Sequence, residues 1–242
     1  MCNVDYKLIS SVIKNRIIGQ LCFLVGNHQT CNVPNRSIMD NLCFFRELLS
    51  TPFDGAILSL DQEAAFDRVN RGFMFTVLKK YNFPDLILKS LKLLHENSRI
   101  MVKVGNSLTD YIPVARGVKQ GDPVSSLLFV LCFEPFLARI RKLLSEASGG
   151  ANKNFVPVAA YADDCQLILT DSSEFDIVEF ELKKYFEFSG GKLNRNKSNC
   201  LLLGKWQKHP PRISFPAVTN GCEILGISFG SSAYVAQNWD SL

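Results

Sequence analysis

Two stretches in the first fifty residues repeat their apolar positions every three or four residues. In residues 4–21 this spacing predicts a helix with Asp5 as its N-cap and one buried face, formed by Leu8, Ile9, Val12, Ile13 and Ile17. A polar loop containing one proline follows, and residues 37–49 return to the helical spacing. The same pattern predicts helices over residues 71–81, 85–96 and 173–188. A long apolar helix is predicted to begin at Pro123 and to end near Leu144.

Short apolar runs between turn residues predict strands. The run AILSLD, residues 56–61, predicts a buried strand that ends at Asp61. Residues 154–170 form two strand-like runs on either side of Ala162, Asp163 and Asp164, which predicts a hairpin with acidic residues at its tip. A second hairpin is predicted around Gly105, and NCLLLG and EILGISFG each predict one closing strand. With no repeat and no Gly-, Ser- or Pro-rich linker, the chain is expected to form an α+β fold.

Composition and charge exclude some classes of protein. Of the 242 residues, 47% are hydrophobic and 21% are charged, which is typical of a globular protein rather than a disordered one. The net charge of +4 is compatible with a nucleic-acid partner but equally with an ordinary solvated surface. No apolar run approaches the roughly 20 residues that span a bilayer, and no signal-peptide cleavage site is visible. We therefore expect an intracellular protein without membrane contact, in either the nucleus or the cytoplasm.

The eight cysteines are expected to be reduced thiols. None belongs to a C-x-x-C pair, and several lie inside apolar runs, as is typical of intracellular proteins. A zinc site built from Cys22, His28 and Cys31 would lack a nearby fourth ligand and a standard spacing. Packing in the core is therefore the favoured interpretation.

Three aspartates are the candidate chemical groups. If the strand that ends at Asp61 pairs with the hairpin that carries Asp163 and Asp164, three carboxylates lie together and repel one another unless cations bind. Oxygen ligands favour Mg²⁺ or Mn²⁺, and two such ions can activate a 3′-hydroxyl and stabilise a leaving pyrophosphate. Adjacent aspartates more often cap a surface turn, and the dipeptide alone leaves that alternative open.

Seven segments of the chain form one pattern. In chain order they are NVDYKLIS, QTCNVPNRSIMDN, SLDQEAAFDRVN, ARGVKQGDPVSSLLFVLCFEPF, YADD, GKLNRNKS and EILGISFG. Their order and compact spacing resemble the reverse transcriptase domain of non-LTR (LINE-type) retrotransposons over nearly the whole chain.

The resemblance implies a right-hand polymerase with fingers and an antiparallel palm sheet packed on helices. Within one domain over residues 1–242, it assigns about 1–52 to partial fingers and about 53–230 to the palm with inserted fingers elements. Residues 231–242 would begin the connection to an absent thumb. The full-length protein is expected to contain that thumb and an upstream endonuclease.

The resemblance also implies RNA-directed DNA polymerase activity. Deoxynucleoside triphosphates (dNTPs) would be added to the 3′-end of a DNA primer on an RNA template. Asp61, Asp163 and Asp164 would be the catalytic residues and the ligands of two Mg²⁺ ions, with Mn²⁺ as a substitute. The peptide carbonyl of Gln62 would complete the metal shell. Phe66 would be the steric gate that crowds a ribose 2′-hydroxyl, although an ordinary core position is the alternative.

Other residues are implied in nucleotide binding by the same resemblance. Gln120 and Gly121 would line the nucleotide pocket beside the template base, or form an ordinary loop before a helix. Lys7 and Arg36 would meet the triphosphate or the template backbone from the fingers, and Lys197 would lie near the pyrophosphate. The residue types alone fit solvated surface cations equally well.

Departures from the family pattern keep other functions open. Cys31 and Asn32 stand where the family commonly has Gly-Phe, Asn35 and Gly191 replace a usual glycine and leucine, and Ser126 replaces a proline. The main alternative is a non-catalytic remnant that keeps the fold and at most binds nucleic acid. A magnesium-dependent phosphatase or nuclease would need a nucleophile or base near Asp61, and no such motif is visible.

Overall fold

The computed structural model describes residues 3–147 and 157–238. The helices are α1 (Val4–Ile17), α2 (Leu21–Leu24), α3 (Ile38–Ser50), α4 (Ala65–Arg68), α5 (Arg71–Lys80), α6 (Asp85–His95), α7 (Ser125–Ala147), α8 (Glu174–Ser189) and α9 (Ser232–Val235). The strands are β1 (Gly55–Leu60), β2 (Arg99–Ile100), β3 (Lys103–Val104), β4 (Ser107–Leu108), β5 (Ile112–Pro113), β6 (Val158–Tyr161), β7 (Asp164–Leu169), β8 (Asn199–Leu203), β9 (Ala217–Val218), β10 (Gly221–Ile224) and β11 (Ile227–Gly230). The α+β class expected from the sequence is confirmed.

One sheet organises the fold. Its strands are hydrogen-bonded in the order β6–β7–β1–β8–β9. Strand β1 is antiparallel to both β7 and β8, β6 is antiparallel to β7, and β9 runs parallel to β8. The run AILSLD therefore occupies the centre of the sheet, where a strand has neighbours on both edges.

Strand β1 is buried along its whole length because both faces of the sheet are covered. Leu58 contributes to the core formed with α5, α7 and α8, whereas Ile57 points to the opposite core. That second core contains Phe45 of α3 and Cys222 and Ile224 of β10. Side chains alternate between the two faces of a strand, so a continuous apolar run is what a strand covered on both sides requires.

Helix α1 departs from the prediction in both its cap and its buried face. Its N-cap is Asn3, whose side chain accepts a hydrogen bond from the Tyr6 amide at 2.8 Å, rather than Asp5. Ile13 and Ile17 are buried as predicted. The expectation was wrong for the remaining apolar residues, which are 53–61% exposed: Leu8, Ile9 and Val12. Helical spacing shows which residues share a side of a helix but not whether another element covers that side.

Other boundaries differ from prediction for local reasons. The 4–21 helix is divided, because a 3-10 turn at Ile18–Gln20 separates α1 from α2. EILGISFG forms two strands, since Leu225 and Gly226 both adopt positive φ and turn the chain into the β10–β11 hairpin. Helix α7 begins at Ser125 rather than Pro123, where the Asp122 carboxylate accepts a hydrogen bond from the Ser125 hydroxyl at 2.9 Å.

The remaining predicted elements are present where the structure describes them, and residues 154–156 of the predicted acidic hairpin lie outside the described residues. Residues 99–113 form the predicted hairpin, with β2 paired to β5 and β3 paired to β4. Helices α3, α5, α6 and α8 begin and end within one residue of the predicted bounds. Among residues 3–147 and 157–238, no helix is both long and apolar enough to cross a membrane.

Candidate active site

Strand pairing brings the three aspartates to one end of the sheet. Asp61 directly follows β1, whose last residue, Leu60, lies opposite Cys165 of β7. Asp164 precedes Cys165 and pairs with Tyr161 across the hairpin, so Asp163 occupies the turn beside it. Residues about one hundred positions apart in the sequence thus become neighbours.

The three carboxylates interact electrostatically. Burial raises the pKa of Asp163, and the charge of Asp61 raises it further. Burial also raises the pKa of Asp164 to about 6, with further contributions from Asp163, Asp61 and Glu223. Asp164 keeps a solvent-exposed surface although surrounding protein atoms limit the hydration of its carboxylate. Removing a negative charge from this cluster is therefore favourable, and so is adding a positive one.

The three carboxylates are of the right chemical type for a hard divalent cation, but their side chains do not surround one point. Within residues 3–147 and 157–238, no three His, Cys, Asp or Glu side chains converge closely enough to hold one ion. The charge of Asp61 nevertheless contributes to the raised pKa of both Asp163 and Asp164. Carboxylate oxygens are the ligands that Mg²⁺ and Mn²⁺ prefer.

Glu223 is a fourth carboxylate that the sequence did not suggest. It lies on β10, and its charge contributes to the raised pKa of Asp164. It comes from EILGISFG, which had been predicted as one strand. Only the folded hairpin brings Glu223 towards the sheet end.

The backbone around Asp61 is fixed by Ser198, which the sequence analysis also missed. The fully buried Ser198 hydroxyl accepts the Asp61 amide at 3.1 Å and donates to the Asn194 carbonyl at 2.9 Å. The Asn194 amide in turn donates a hydrogen bond to the Asp61 carbonyl at 2.9 Å. Ser198 ends the segment GKLNRNKS, in which the sequence predicted a binding role for Lys197 alone. The serine therefore holds the backbone of a candidate metal ligand.

The Gln62 carbonyl takes no part in the hydrogen bonds between residues 61–63 and 192–194. Gln62 forms an isolated antiparallel bridge with Leu193. The two hydrogen bonds of the bridge use the carbonyls of Asp61 and Lys192, whose partners are the amides of Asn194 and Glu63. The Gln62 carbonyl is thus left out of the pairing, as the predicted metal-ligand role would require.

The predicted nucleotide-binding loop lies directly on helix α4. The amides of Gly117 and Val118 donate to the carbonyls of Val69 and Phe66 at 2.8 and 2.9 Å. Gly117 has a φ of +83°, and a Cβ atom there would lie 2.6 Å from the Asp67 carbonyl oxygen. A glycine is required at this position because the two backbones approach so closely.

Helix α4 carries Phe66 and also Asp67, the residue that Gln120 contacts. The half-buried Phe66 ring stacks on Phe129 of α7, with ring centroids 4.7 Å apart. The exposed Gln120 side chain donates to the Asp67 carboxylate at 3.2 Å. Gly121 follows Gln120 with open space where a side chain would stand. Phe66 therefore has both the packing contact of a core residue and the partial exposure that a gate needs.

The three predicted phosphate-binding cations lie in different surroundings. Lys7 is exposed on α1, and Lys197 is exposed in the loop between α8 and β8. The Arg36 guanidinium instead donates to the carbonyls of Val25, Gly26 and Gln29 and to the side chain of Asn27. Arg36 thus holds its own loop together through both terminal nitrogens of its guanidinium.

The candidate zinc ligands are placed differently from one another. The His28 ring is buried with its Nε2 atom 3.2 Å from Glu134, and Cys31 is buried. Cys22 is exposed and its thiol donates to the Pro34 carbonyl.

Comparison with known proteins identifies the family. Residues 1–229 match the family model described as reverse transcriptase (RNA-dependent DNA polymerase). The transposon TX1 uncharacterized 149 kDa protein of Xenopus laevis is 34% identical over 252 residues, covering 100% of this chain and 19% of the relative. The Pol polyprotein from the type-2 retrotransposable element R2DM of Drosophila melanogaster is 28% identical over 196 residues, covering 75% of this chain and 18% of the relative. The chain thus spans about a fifth of the length of these relatives.

Solved structures share the fold. Telomerase from Candida albicans, in complex with a TWJ fragment of telomeric RNA, superposes with a TM-score of 0.61 over 95% of this chain and 38% of that chain, at 14% identity. The corresponding Candida tropicalis complex gives 0.63 over 94% of this chain and 36% of that chain. This likeness agrees with the fingers-and-palm fold, and the match of the family model to most of the chain decides the family. The chain belongs to the reverse transcriptase (RNA-dependent DNA polymerase) family, as its resemblance to the enzymes of LINE-type retrotransposons predicted.

Proposed function

We propose that this chain carries the polymerase site of an RNA-directed DNA polymerase, which adds dNTPs to a primer 3′-end with two Mg²⁺ ions. The observation that carries the proposal is the meeting of Asp61 with the Asp163–Asp164 turn at one end of an antiparallel sheet. Mutual repulsion among these carboxylates supplies the driving force for binding cations.

Different residues would bind the metal ions and hold the metal ligands in position. When bound, two divalent ions supply positive charge that activates the 3′-hydroxyl and stabilises the leaving pyrophosphate. Asp61, Asp163 and Asp164 would hold them, with the Gln62 carbonyl as a further oxygen ligand. The Ser198 hydroxyl holds the Asp61 backbone in place by accepting a hydrogen bond from the Asp61 amide. A ligand whose backbone is already held needs less rearrangement when cations bind.

Nucleotide selection would take place on helix α4. Phe66 follows Asp61 by five residues, and stacking on Phe129 restricts its ring while part of it remains exposed. A fixed ring can exclude a 2′-hydroxyl, because it cannot yield without losing that stacking contact. Gln120, whose side chain donates to Asp67 of the same helix, and the adjacent Gly121 would border the nucleotide. Lys7, Arg36 and Lys197 would contact phosphate.

The proposed partners are an RNA template, a DNA primer and dNTPs. The telomerase relatives with the same fold were solved with an RNA fragment, which supports an RNA partner here. Most phosphate contacts that hold a primer–template duplex are spread along its length. Because the chain covers 19% of its Xenopus relative, other parts of a longer protein would supply further contacts.

A non-catalytic remnant is the second candidate, and two observations favour it. Arg36 is engaged by its own loop, and no three acidic side chains among the described ranges surround a common point. Such a protein would keep the fold and bind nucleic acid without turnover. Activity measurements separate the two candidates.

The first prediction is single-nucleotide addition by the wild-type chain on an RNA template with a DNA primer and Mg²⁺. Asp163→Asn combined with Asp164→Asn should reduce the rate by about 10³-fold or more, because metal ligation supplies several kcal/mol of transition-state stabilisation. Asp176→Asn, an exposed aspartate on α8, is the matched control and should leave the rate unchanged. Binding of the duplex without any addition by the wild type would support the remnant instead.

The second prediction concerns sugar selection. Phe66→Ala should raise the ratio of ribonucleotide to deoxynucleotide incorporation by about 10-fold or more, since removing a steric clash is worth about 1–3 kcal/mol. Phe75→Ala removes another half-buried ring packed on the same core and should leave the ratio unchanged. Equal ratios in the two variants would assign Phe66 to the core alone.

The third prediction concerns charge repulsion without nucleic acid. In metal-free protein, Asp164→Asn should raise the melting temperature by roughly 2 °C, the order of change that relief of a charge repulsion produces in a domain of this size. Mn²⁺ should then stabilise the wild type more than the variant. Thermal unfolding with and without Mn²⁺ measures both effects, again with Asp176→Asn as the control. Equal responses to Mn²⁺ would argue against a cation site at these carboxylates.

A further inference from the structure

The turn that carries Asp163 is joined to a segment from the first fifty residues. Gln29 forms an isolated parallel bridge with Ala160 of β6. The Ala160 amide donates to the His28 carbonyl at 2.7 Å, and the Thr30 amide donates to the Ala160 carbonyl at 3.0 Å. Residues 28–30 therefore extend the sheet beyond the edge of β6.

The side chain of Gln29 binds the backbone of the turn itself. Its Oε1 atom accepts the Ala162 amide at 3.0 Å, and its Nε2 atom donates to the Ala162 carbonyl at 3.2 Å. Oε1 also accepts the Cys31 amide at 3.0 Å. Gln29 has no solvent-exposed surface. One buried amide group thus pairs both backbone polar groups of the residue that precedes Asp163.

Ala162 needs such support because its backbone conformation is unfavourable. Its φ is +54°, in the left-handed region that costs a residue with a Cβ atom about 1–2 kcal/mol. Ala162 is also buried, so water is poorly placed to replace lost hydrogen bonds. The bonds from Gln29 offset this cost and fix the direction in which the chain enters Asp163 and Asp164.

Gln29 is itself held firmly. Arg36 donates to the Gln29 carbonyl at 2.8 Å and to the carbonyls of Val25 and Gly26. The Asn41 side chain donates to the Ala160 carbonyl at 3.0 Å, which ties α3 to the same bridge. Hydrogen bonds from Arg36 and Asn41 therefore hold both the loop that carries Gln29 and the strand residue to which it is bridged.

We propose that Gln29 is a positioning residue of the polymerase site, which holds Ala162 in its left-handed conformation and thereby sets Asp163 and Asp164 relative to Asp61. The inference rests on the function proposed above. Gln29 touches neither metal nor substrate in this role, and it acts through the Ala162 backbone. Residues that orient metal ligands typically contribute about 10- to 100-fold in metal affinity or activity.

The test compares two buried glutamines in the 242-residue chain. Gln29→Met keeps a similar side-chain volume and removes the hydrogen bonds to Ala162. It should weaken Mn²⁺ binding, measured by calorimetry, by about 10-fold or more, and should slow single-nucleotide addition by a comparable factor. Gln166→Met removes a buried amide from β7 that makes no bond to the turn, and it should leave Mn²⁺ affinity near the wild-type value.

A rescue variant separates positioning from general stability. Glycine adopts the left-handed conformation without the Cβ penalty, so Ala162→Gly should restore at least part of the Mn²⁺ affinity lost in Gln29→Met. Thermal unfolding of the same proteins shows whether affinity returns independently of melting temperature. Loss of affinity that follows melting temperature in every variant, or that Ala162→Gly fails to restore, would overturn the proposal.

Hydrogen exchange provides a readout that does not depend on catalysis. The Ala162 amide should exchange at least about 10-fold faster in Gln29→Met than in the wild type or Gln166→Met, because its acceptor is lost. If the wild type bound no Mn²⁺, the proposed function would fail, while this exchange difference would still decide whether Gln29 holds the turn. Equal Ala162 exchange in all three proteins would overturn the inference.

Discussion

The antiparallel pairing of β1 with β7 is the interaction on which the candidate site depends. Because Leu60 lies opposite Cys165, Asp61 must lie beside the Asp163–Asp164 turn. The same pairing places apolar side chains of β1 in cores on both faces of the sheet. Burial of these side chains therefore offsets the repulsion that gathering three carboxylates creates. Core packing of β1 thus places the three acids at one end of the sheet before any cation binds.

Three separate parts of the chain then fix the backbone around the acids. Ser198 holds Asp61, Gln29 holds Ala162, and the loop at Gly117 is bound to helix α4. Each contact is a hydrogen bond to main chain, so it sets the course of the backbone without using a carboxylate oxygen. None of these three contacts therefore occupies a carboxylate oxygen of Asp61, Asp163 or Asp164.

The strand that ends at Asp61 and the hairpin with acids at its tip were predictable from local sequence patterns. That the two share one site was implied by the resemblance to the reverse transcriptase domain, because adjacent aspartates alone are also typical of a surface turn. The exposed side of α1 was not predictable in the same way, since spacing groups Leu8 and Val12 but does not show what covers them. Gln29 and Ser198 were missed because their roles are bonds to distant backbone, which no local pattern records. Arg36 has the side chain of a phosphate ligand, and only the folded loop shows its competing acceptors.

If Asp61, Asp163 and Asp164 together bind the catalytic cations, the position of those cations in a crystal will show it. Crystals of the wild-type chain soaked with Mn²⁺ and a non-hydrolysable dNTP analogue would give anomalous difference peaks at each bound manganese. We expect two peaks within coordination distance of these carboxylates, at about 2.0–2.1 Å by analogy with Mg²⁺. Well-occupied Mn²⁺ elsewhere, with none at the end of β1, would contradict it.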